Sequence, residues 1–144
     1  MPIQAPIITA EILLLEPNAE EAALIAEAVE ENRITTVDEC TDILAFLRRE
    51  GKYASAPRPD LVLLDLDLSR AEDCLMLSAL KREPQFKRIP VVVLASSISY
   101  EDIFQAYDLH ANAYICKPAD RDDFLRVLRA TLHFWLSLAR LPKD

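Results

Sequence analysis

The stretch PDLVLLDLDL, residues 59–68, decides the fold. Four large apolar residues, 61–64, follow one another without polar alternation, which is typical of a strand covered on both faces. Asp65 and Asp67 come where this apolar run ends. Because the carboxyl end of such a strand opens onto the crevice where α/β sheets bind ligands, we interpret Asp65 as a site residue. The alternative is that Asp65 only caps the following segment.

The composition of the 144-residue chain fits one domain, residues 1–144, with a core from about 11 to 136. An apolar fraction of 51% excludes a disordered chain. The net charge of −8 argues against nucleic-acid binding and against docking on anionic membranes, since both need clustered Lys and Arg. No apolar run reaches the length of a membrane span, and the first residues form no basic leader, so we expect a cytoplasmic protein.

Cysteine, histidine and glycine usage excludes several kinds of site. Cys40, Cys74 and Cys116 lie far apart and match neither a zinc spacing nor a disulfide framework. Two histidines leave little basis for a histidine-based metal site. The single glycine, Gly51, excludes the glycine-rich loops that bind nucleotide phosphates. These counts disfavour a small enzyme or cofactor binder, and we expect no enzymatic activity.

The apolar pattern of the remaining sequence predicts five successive strand–helix pairs. The strands are predicted at about 12–15, 34–37, 61–64, 89–94 and 113–116. Asn18, Ser99 and Asp120 are predicted to begin helices, the last of them continuing to about residue 138, and Gly51 is predicted to close the second helix. This alternation requires right-handed crossovers and a parallel α/β sheet, for which the doubly wound, flavodoxin-like order 2-1-3-4-5 is the natural solution.

That strand order brings the carboxyl ends of strands 1, 3, 4 and 5 together. The residues at these ends are Glu16, Asp65, Ala95-Ser96 and Lys117. Two carboxylates suit a hard divalent cation such as Mg2+. Such a cation and Lys117 would lower the barrier to attack of a carboxylate on phosphorus. The alternative for Lys117 is a solvated lysine at a strand end.

Four segments, ILLLEPN, RPDLVLLDLDLS, KRIPVVVLASS and NAYICKP, resemble the receiver domain of bacterial response regulators. The stretch EDIFQAYDLHANAYICKP and the ending HFWLSLARLP are most similar to single-domain regulators associated with cyanobacterial phytochromes. The resemblance implies a CheY-like phosphoprotein of a two-component or phosphorelay pathway, with a sensor histidine kinase, a phytochrome among the candidates, as its partner. No output domain follows in this sequence, so we expect the output to be contact with another protein.

The resemblance also implies roles for individual residues. Asp65 would be the phosphoacceptor, and Lys117 would pair with it or with its phosphoryl group. Ser96 and Tyr114 would supply a phosphoryl contact and an aromatic switch, although helix capping for Ser96 and core packing for Tyr114 are alternatives. The implied ligands of a Mg2+ cofactor are Glu16, Asp65 and Asp67, the last through its backbone carbonyl.

Three departures from the family pattern predict an atypical receiver. Pro17 stands where a second acid is expected, and it offers neither a carboxylate nor an N–H, so we expect a weakened Mg2+ site. The Asp67 side chain is the predicted rescue. Ala95 replaces a hydroxyl residue, and residues 70–73 replace a glycine-containing turn. The alternative function is a phosphorylation-independent pseudo-receiver that serves as a protein–protein interaction module.

The last predicted helix carries apolar residues on more than one stripe. A helix packed on a sheet needs a single apolar face about 100° wide. The excess lies at Phe134, Trp135 and Leu138, and it predicts a homodimer interface, because symmetric pairing is the commonest way to bury such a surface. The alternative is that this segment folds back onto its own domain.

Overall fold

A computed structural model describes residues 9–142 of the chain. The predicted single domain, residues 1–144, can therefore be compared with the structure only over residues 9–142. The expectation about a leader concerns mainly residues outside the described range. The strands are β1 (Glu11–Leu15), β2 (Arg33–Val37), β3 (Leu61–Asp65), β4 (Val91–Ala95) and β5 (Ala113–Cys116). The helices are α1 (Ala19–Val29), α2 (Cys40–Arg48), α3 (Ala71–Arg82), α4 (Tyr100–Asp108) and α5 (Arg121–His133).

The five strands form one parallel sheet in the order β2-β1-β3-β4-β5, as predicted. Residues 61–64 of β3 and the whole of β4 are buried. Alternate residues of β3 enter different layers, since Leu61 and Leu63 pack on one face of the sheet and Val62 and Leu64 on the other. The uninterrupted apolar run is therefore explained by helices that cover both faces.

The helices divide between the two faces of the sheet. On one face, α1 and α5 pack through buried residues that include Ile25, Val29, Phe124 and Leu128. On the other face, α2, α3 and α4 pack through residues that include Ile43, Phe46, Leu77, Leu80 and Ala106. Within residues 9–142, no helix combines the length and the apolar character needed to cross a membrane.

Two predicted helix starts are confirmed in atomic detail. The Asn18 side chain accepts a hydrogen bond from the Glu21 N–H at 3.0 Å and caps α1. The Asp120 side chain accepts from the Asp123 N–H at 3.0 Å and caps α5. Each cap satisfies an N–H that the first turn of the helix leaves without a partner, so the sequence signal corresponds to a real boundary.

The prediction that Gly51 closes α2 is wrong. The helix ends at Arg48, and Arg49 takes the left-handed conformation at φ 55°. The Arg49 N–H donates to the Phe46 carbonyl at 3.1 Å, which satisfies one of the last carbonyls of the helix. Gly51 instead begins the short 3-10 turn Gly51–Tyr53. The left-handed residue that ends the helix is thus an arginine two positions before the glycine.

Candidate functional site

The carboxyl edge of the sheet brings charged side chains from β1, β3 and β5 into one crevice. Asp65 is the last residue of β3, while Glu16 and Lys117 directly follow β1 and β5. The Glu16 N–H donates to the Val37 carbonyl at 3.0 Å, and the Lys117 N–H donates to the Ala95 carbonyl at 2.8 Å. Both residues therefore extend the hydrogen bonding of the sheet past the strand ends, and this fixes where their side chains start.

Lys117 connects two of the acids. Its Nζ donates to Asp65 Oδ2 at 2.7 Å and to Glu21 Oε2 at 3.0 Å, and its side chain is 10% exposed. Burial alone lowers the pKa of Lys117, but the hydrogen bonds to Asp65 and Glu21 outweigh it and raise the pKa. The lysine therefore stays charged and holds both carboxylates at the crevice. The structure thus brings together Glu16, Asp65 and Lys117, as the sequence predicted, and adds Glu21.

Glu16 is the most deeply buried acid of the crevice, with 3% of its surface exposed. Its Oε2 accepts a hydrogen bond from the Asn18 N–H at 3.2 Å, but its Oε1 has no hydrogen-bond partner among the described residues. Burial, and then the neighbouring Asp65 carboxylate, raise the pKa of Glu16 to about 9. Burial and the neighbouring carboxylate therefore favour the protonated form of Glu16.

The acids of the crevice fit a divalent cation. Glu16, Glu21 and Asp65 each offer a carboxylate oxygen, and these oxygens lie within 4.8 Å of one another. Carboxylate oxygens are the ligands that hard cations such as Mg2+ prefer. The buried Oε1 of Glu16 needs a partner, and a cation among these oxygens would supply it. Of these three acids, Glu21 was missed by the sequence analysis.

Asp67 lies outside this group of acids. Its exposed side chain accepts hydrogen bonds from the Ser69 N–H at 3.0 Å and from the Ser69 hydroxyl at 2.6 Å, and these bonds lower the pKa of Asp67. Its backbone carbonyl accepts from the Arg70 N–H at 2.9 Å. The structure therefore does not bring the Asp67 carboxylate to Glu16 and Asp65, and its role as a metal ligand stays a prediction.

Asp73 holds the loop that follows Asp65. It is 6% exposed, and its carboxylate accepts hydrogen bonds from the Asp67 N–H at 2.8 Å and from the Cys40 thiol at 3.2 Å. Burial and the contact with Asp73 raise the pKa of Cys40 to about 12, so the thiol stays protonated. No residue of this loop has a positive φ. The loop thus forms without glycine because an acid from the first turn of α3 pins its backbone.

The crevice opens to solvent on the β1 side of Asp65. A cleft of about 380 Å³ is lined by Asp65, Pro17, Asp38 and Arg70, among others. The Asp65 side chain itself is 15% exposed. Because the cleft reaches this carboxylate, a group brought by another molecule has access to it.

The β4 side of the crevice has a different character. A smaller cavity of about 270 Å³ is lined by Asp65, Ala95, Ser96 and Tyr114, among others. Ser96 is exposed, and Ala95 offers no hydroxyl. The Tyr114 hydroxyl donates to the Ser97 carbonyl at 2.7 Å while the tyrosine packs against the core on the α2–α3–α4 face. Tyr114 is therefore a partly buried residue packed against the core, and its role as a switch, like the phosphoryl contact of Ser96, stays a prediction.

The C-terminal segment divides between the two readings of its apolar residues. A π-helical turn, Phe134–Leu138, continues α5. Trp135 packs against the core of its own domain, as the fold-back alternative expects. Phe134 and Leu138 remain 49% and 64% exposed. One residue of the predicted homodimer interface, Trp135, thus packs within its own chain, while Phe134 and Leu138 stay exposed. The dimer stays a prediction.

Comparisons with known proteins agree on one family. The profile of the response regulator receiver domain matches residues 12–129. Response regulator Rcp1 of Synechocystis sp. is 36% identical over 138 residues, which are 91% of this chain and 92% of Rcp1. The crystal structure of the phosphorylated cyanobacterial phytochrome response regulator RcpA is 42% identical, with a TM-score of 0.88 over 94% of this chain and 100% of RcpA. The Mn2+-bound form of Rcp1 has a TM-score of 0.85 at 33% identity, over 93% and 99% of the two chains.

Proposed function

This chain belongs to the response regulator receiver family of two-component systems, and we propose that Asp65 accepts a phosphoryl group from a sensor histidine kinase. The observation that carries the proposal is the contact of 2.7 Å between Lys117 Nζ and Asp65 Oδ2 beside an open cleft. A charged lysine at this distance is placed to neutralise negative charge that gathers on the acceptor during transfer.

In the proposed reaction, an Asp65 carboxylate oxygen attacks the phosphorus atom of a phosphohistidine. A P–O bond forms as the P–N bond breaks, and the imidazole leaves with the bonding electron pair and takes up a proton from solvent. Lys117, held by Asp65 and Glu21, stabilises the charge on the phosphoryl oxygens. The burial of the lysine strengthens this interaction, because charges interact more strongly where water is excluded.

A divalent cation, Mg2+ in the cell, is part of the proposal. Glu16 and Asp65 would hold it, since their carboxylate oxygens lie within 4.8 Å of each other. When bound, it would neutralise part of the charge of the phosphoryl group and of the acids. A crystal structure of the relative Rcp1 is described as its Mn2+-bound form, which supports the binding of a divalent cation by this chain.

The relatives also indicate the pathway. RcpA is described as a cyanobacterial phytochrome response regulator, and it shares 42% identity with this chain. We therefore extend the proposal to a phytochrome-type histidine kinase as the phosphoryl source. The output would be contact with another protein rather than catalysis, and the exposed Phe134 and Leu138 support a second copy of this chain as one such contact.

A second candidate function is a pseudo-receiver that binds its partner without phosphorylation. The observation that favours it is the hydrogen bond between the Tyr114 hydroxyl and the Ser97 carbonyl, at 2.7 Å. The Tyr114 hydroxyl is held by a backbone carbonyl. Position 95 is an alanine, so it has no hydroxyl group whose movement could be coupled to that of Tyr114. The two functions differ in whether a covalent phosphate forms.

Intact mass measurement after incubation with Mg2+ and acetyl phosphate separates the two functions. The phosphoryl-acceptor proposal expects an acid-stable, base-labile phosphate adduct in the wild type and none in Asp65→Asn. Asp38→Asn is the matched control, because Asp38 is an exposed acid that lines the same cleft. An adduct that survives in Asp65→Asn refutes the acceptor assignment. The absence of an adduct with both acetyl phosphate and the phosphorylated cognate histidine kinase favours the pseudo-receiver.

A further inference from the structure

Glu21 does not make the contact that its position in the helix predicts. Asn18 caps α1, and Glu21 follows it by three residues, which is the spacing of a capping box. In a capping box the side chain at the third helical position accepts a hydrogen bond from the N–H of the cap residue. The Glu21 N–H does donate to the Asn18 side chain, but the Glu21 carboxylate lies elsewhere, at 3.0 Å from Lys117 Nζ.

Glu16 takes over the contact that Glu21 leaves. The Asn18 N–H donates to Glu16 Oε2 at 3.2 Å, so the helix start remains satisfied without the Glu21 side chain. This exchange releases the Glu21 carboxylate toward the crevice. Lys117 keeps it there, because the same ammonium group binds Glu21 and Asp65. The local helix energetics alone do not explain this arrangement, since a capping box would satisfy the same N–H.

Pro17 leaves the crevice without a carboxylate at the position where the family pattern has an acid. Pro17 lines the cleft beside Asp65 but has no polar side chain. A cation there would otherwise meet only two carboxylates of this crevice, those of Glu16 and Asp65. Glu21 lies on the first turn of α1, and its side chain is long enough to bring a carboxylate oxygen within 4.8 Å of an oxygen of each of the other two acids.

The buried Oε1 of Glu16 points independently to a ligand. Glu16 is 3% exposed, and this oxygen has no hydrogen-bond partner among the described residues. Leaving a buried polar atom without a partner destabilises a protein, so such atoms call for an explanation. An ion held between Glu16, Glu21 and Asp65 provides one.

We propose that Glu21 is the third carboxylate ligand of a divalent cation bound by Glu16 and Asp65, in the place of the acid that Pro17 does not supply. The inference rests on the proposed function for the presence of the cation, and it assigns a role to a residue of α1. It differs from the simpler role in which Glu21 only neutralises Lys117. A neutralising partner needs charge alone, whereas a ligand also needs reach and takes the place of a water on the ion.

Mn2+ titration followed by electron paramagnetic resonance, which reports free Mn2+, tests the inference on the full chain. Loss of a ligating carboxylate in Glu21→Gln is expected to raise the Kd by at least about tenfold. Glu20→Gln is the matched control: it removes the same charge from the same helical turn, but its side chain is exposed and its effect is expected to stay within about twofold. A Glu21→Gln protein that binds Mn2+ within twofold of the wild type overturns the inference.

Two further measurements separate ligation from charge. Water-proton relaxation at saturating Mn2+ is expected to show more bound water in Glu21→Gln than in the wild type; unchanged hydration of the ion overturns ligation. Glu21→Asp keeps the charge but shortens the side chain, and it is expected to weaken binding as Glu21→Gln does. Wild-type affinity in Glu21→Asp supports the neutralising role alone and contradicts the inference. Circular dichroism of each variant checks that the protein is folded.

The failure of this inference is distinguishable from failure of the proposed function. If the wild type gains phosphate on Asp65 while Glu21→Gln binds Mn2+ normally, only the role of Glu21 is overturned. If Mn2+ affinity depends on Glu21 but the wild type gains no phosphate, the ligand assignment is supported and the phosphoryl function fails. If the wild type does not bind Mn2+, the inference is overturned whatever the phosphorylation result.

Discussion

The two sides of the Asp65 crevice differ in how much of their chemistry is assembled. We call the group Glu16, Glu21, Asp65 and Lys117 the acidic side, and the group Ala95, Ser96 and Tyr114 the β4 side. On the acidic side, four ionisable residues from separate elements lie close together, with contacts of 2.7 Å and 3.0 Å from one lysine to two of the acids. On the β4 side, a cavity of about 270 Å³ lies beside an alanine, and Tyr114 is bonded to a backbone carbonyl.

With the proposed function, this difference predicts that accepting a phosphoryl group and responding to it depend on separate parts of the crevice. On the acidic side, we propose that Glu21 of α1 provides the carboxylate that Pro17 does not supply. The β4 side has no such replacement, since Ala95 has no hydroxyl and the Tyr114 hydroxyl already donates its hydrogen bond to the Ser97 carbonyl. The acidic side is therefore expected to control chemistry and cation binding, and the β4 side to control stability.

The largest expected effect on the acidic side comes from Lys117→Ala. Removing the charge that we propose to stabilise the transferred phosphoryl group is expected to slow labelling by acetyl phosphate about 100-fold. A time course of intact mass measures the rate, and Lys87→Ala, at an exposed lysine, serves as the control. Labelling of a folded Lys117→Ala protein at the wild-type rate would break the comparison, because the acidic side would then not control the chemistry.

Glu16→Gln sharpens the comparison through pH. The pKa of Glu16 is raised from 4.5 to about 9 in the folded protein. Between these values the folded protein keeps a proton that the unfolded chain has released, so the free energy of unfolding falls as pH rises. Titration of Glu16 lowers the free energy of unfolding by at most about 1.4 kcal/mol for each pH unit. Urea unfolding in chelator at pH 5.5, 6.5 and 7.5 is expected to show a smaller loss of stability in Glu16→Gln, whereas equal pH slopes contradict the buried, protonated Glu16.

On the β4 side, Tyr114→Phe is expected to affect stability and leave chemistry unchanged. The variant loses the hydrogen bond to the Ser97 carbonyl, which we expect to lower the free energy of unfolding by about 1 kcal/mol. Urea unfolding measures this loss, and the labelling rate at Asp65 measures the chemistry. A labelling rate that falls with Tyr114→Phe would mean that the β4 side takes part in phosphoryl transfer.

The smallest expected effect is that of Asp67→Ala on cation affinity. Asp67 and Glu21 are the two candidates for the third carboxylate ligand. The exposed Asp67 carboxylate accepts hydrogen bonds from Ser69 instead of facing the other acids. Screening by water and salt is expected to keep the Mn2+ Kd of Asp67→Ala within about twofold of the wild type. A loss as large as that expected for Glu21→Gln would instead favour Asp67 as the rescue of the metal site.

The fold was predictable because its signals are local and mutually consistent. The apolar run 61–64 required cover on both faces, and the alternation of strands and helices then determined the order 2-1-3-4-5. The caps at Asn18 and Asp120 were readable from side-chain type and position. Gly51 misled because a left-handed helix end is favoured by glycine but does not require it, and Arg49 takes that conformation.

The acidic side was only partly predictable, because strand ends are readable and helix side chains are not. Glu16, Asp65 and Lys117 follow from the strand order alone. Glu21 looked like an acid that favours the N-terminus of a helix, and only the three-dimensional contact with Lys117 reveals its other partner. The spacing from Asn18 to Glu21 was the available signal, yet it predicts a capping box rather than a site. Asp73 was missed for the same reason.

Reductive trapping tests the central claim, that Asp65 is the group that receives phosphate, most directly. Borohydride reduces an aspartyl phosphate to homoserine, so peptide mass spectrometry of the trapped protein reads the position of the phosphate. After incubation with Mg2+ and either acetyl phosphate or a phosphorylated histidine kinase, the account predicts homoserine at position 65. Homoserine at position 67 or at any other acid, or none after either donor, would contradict it.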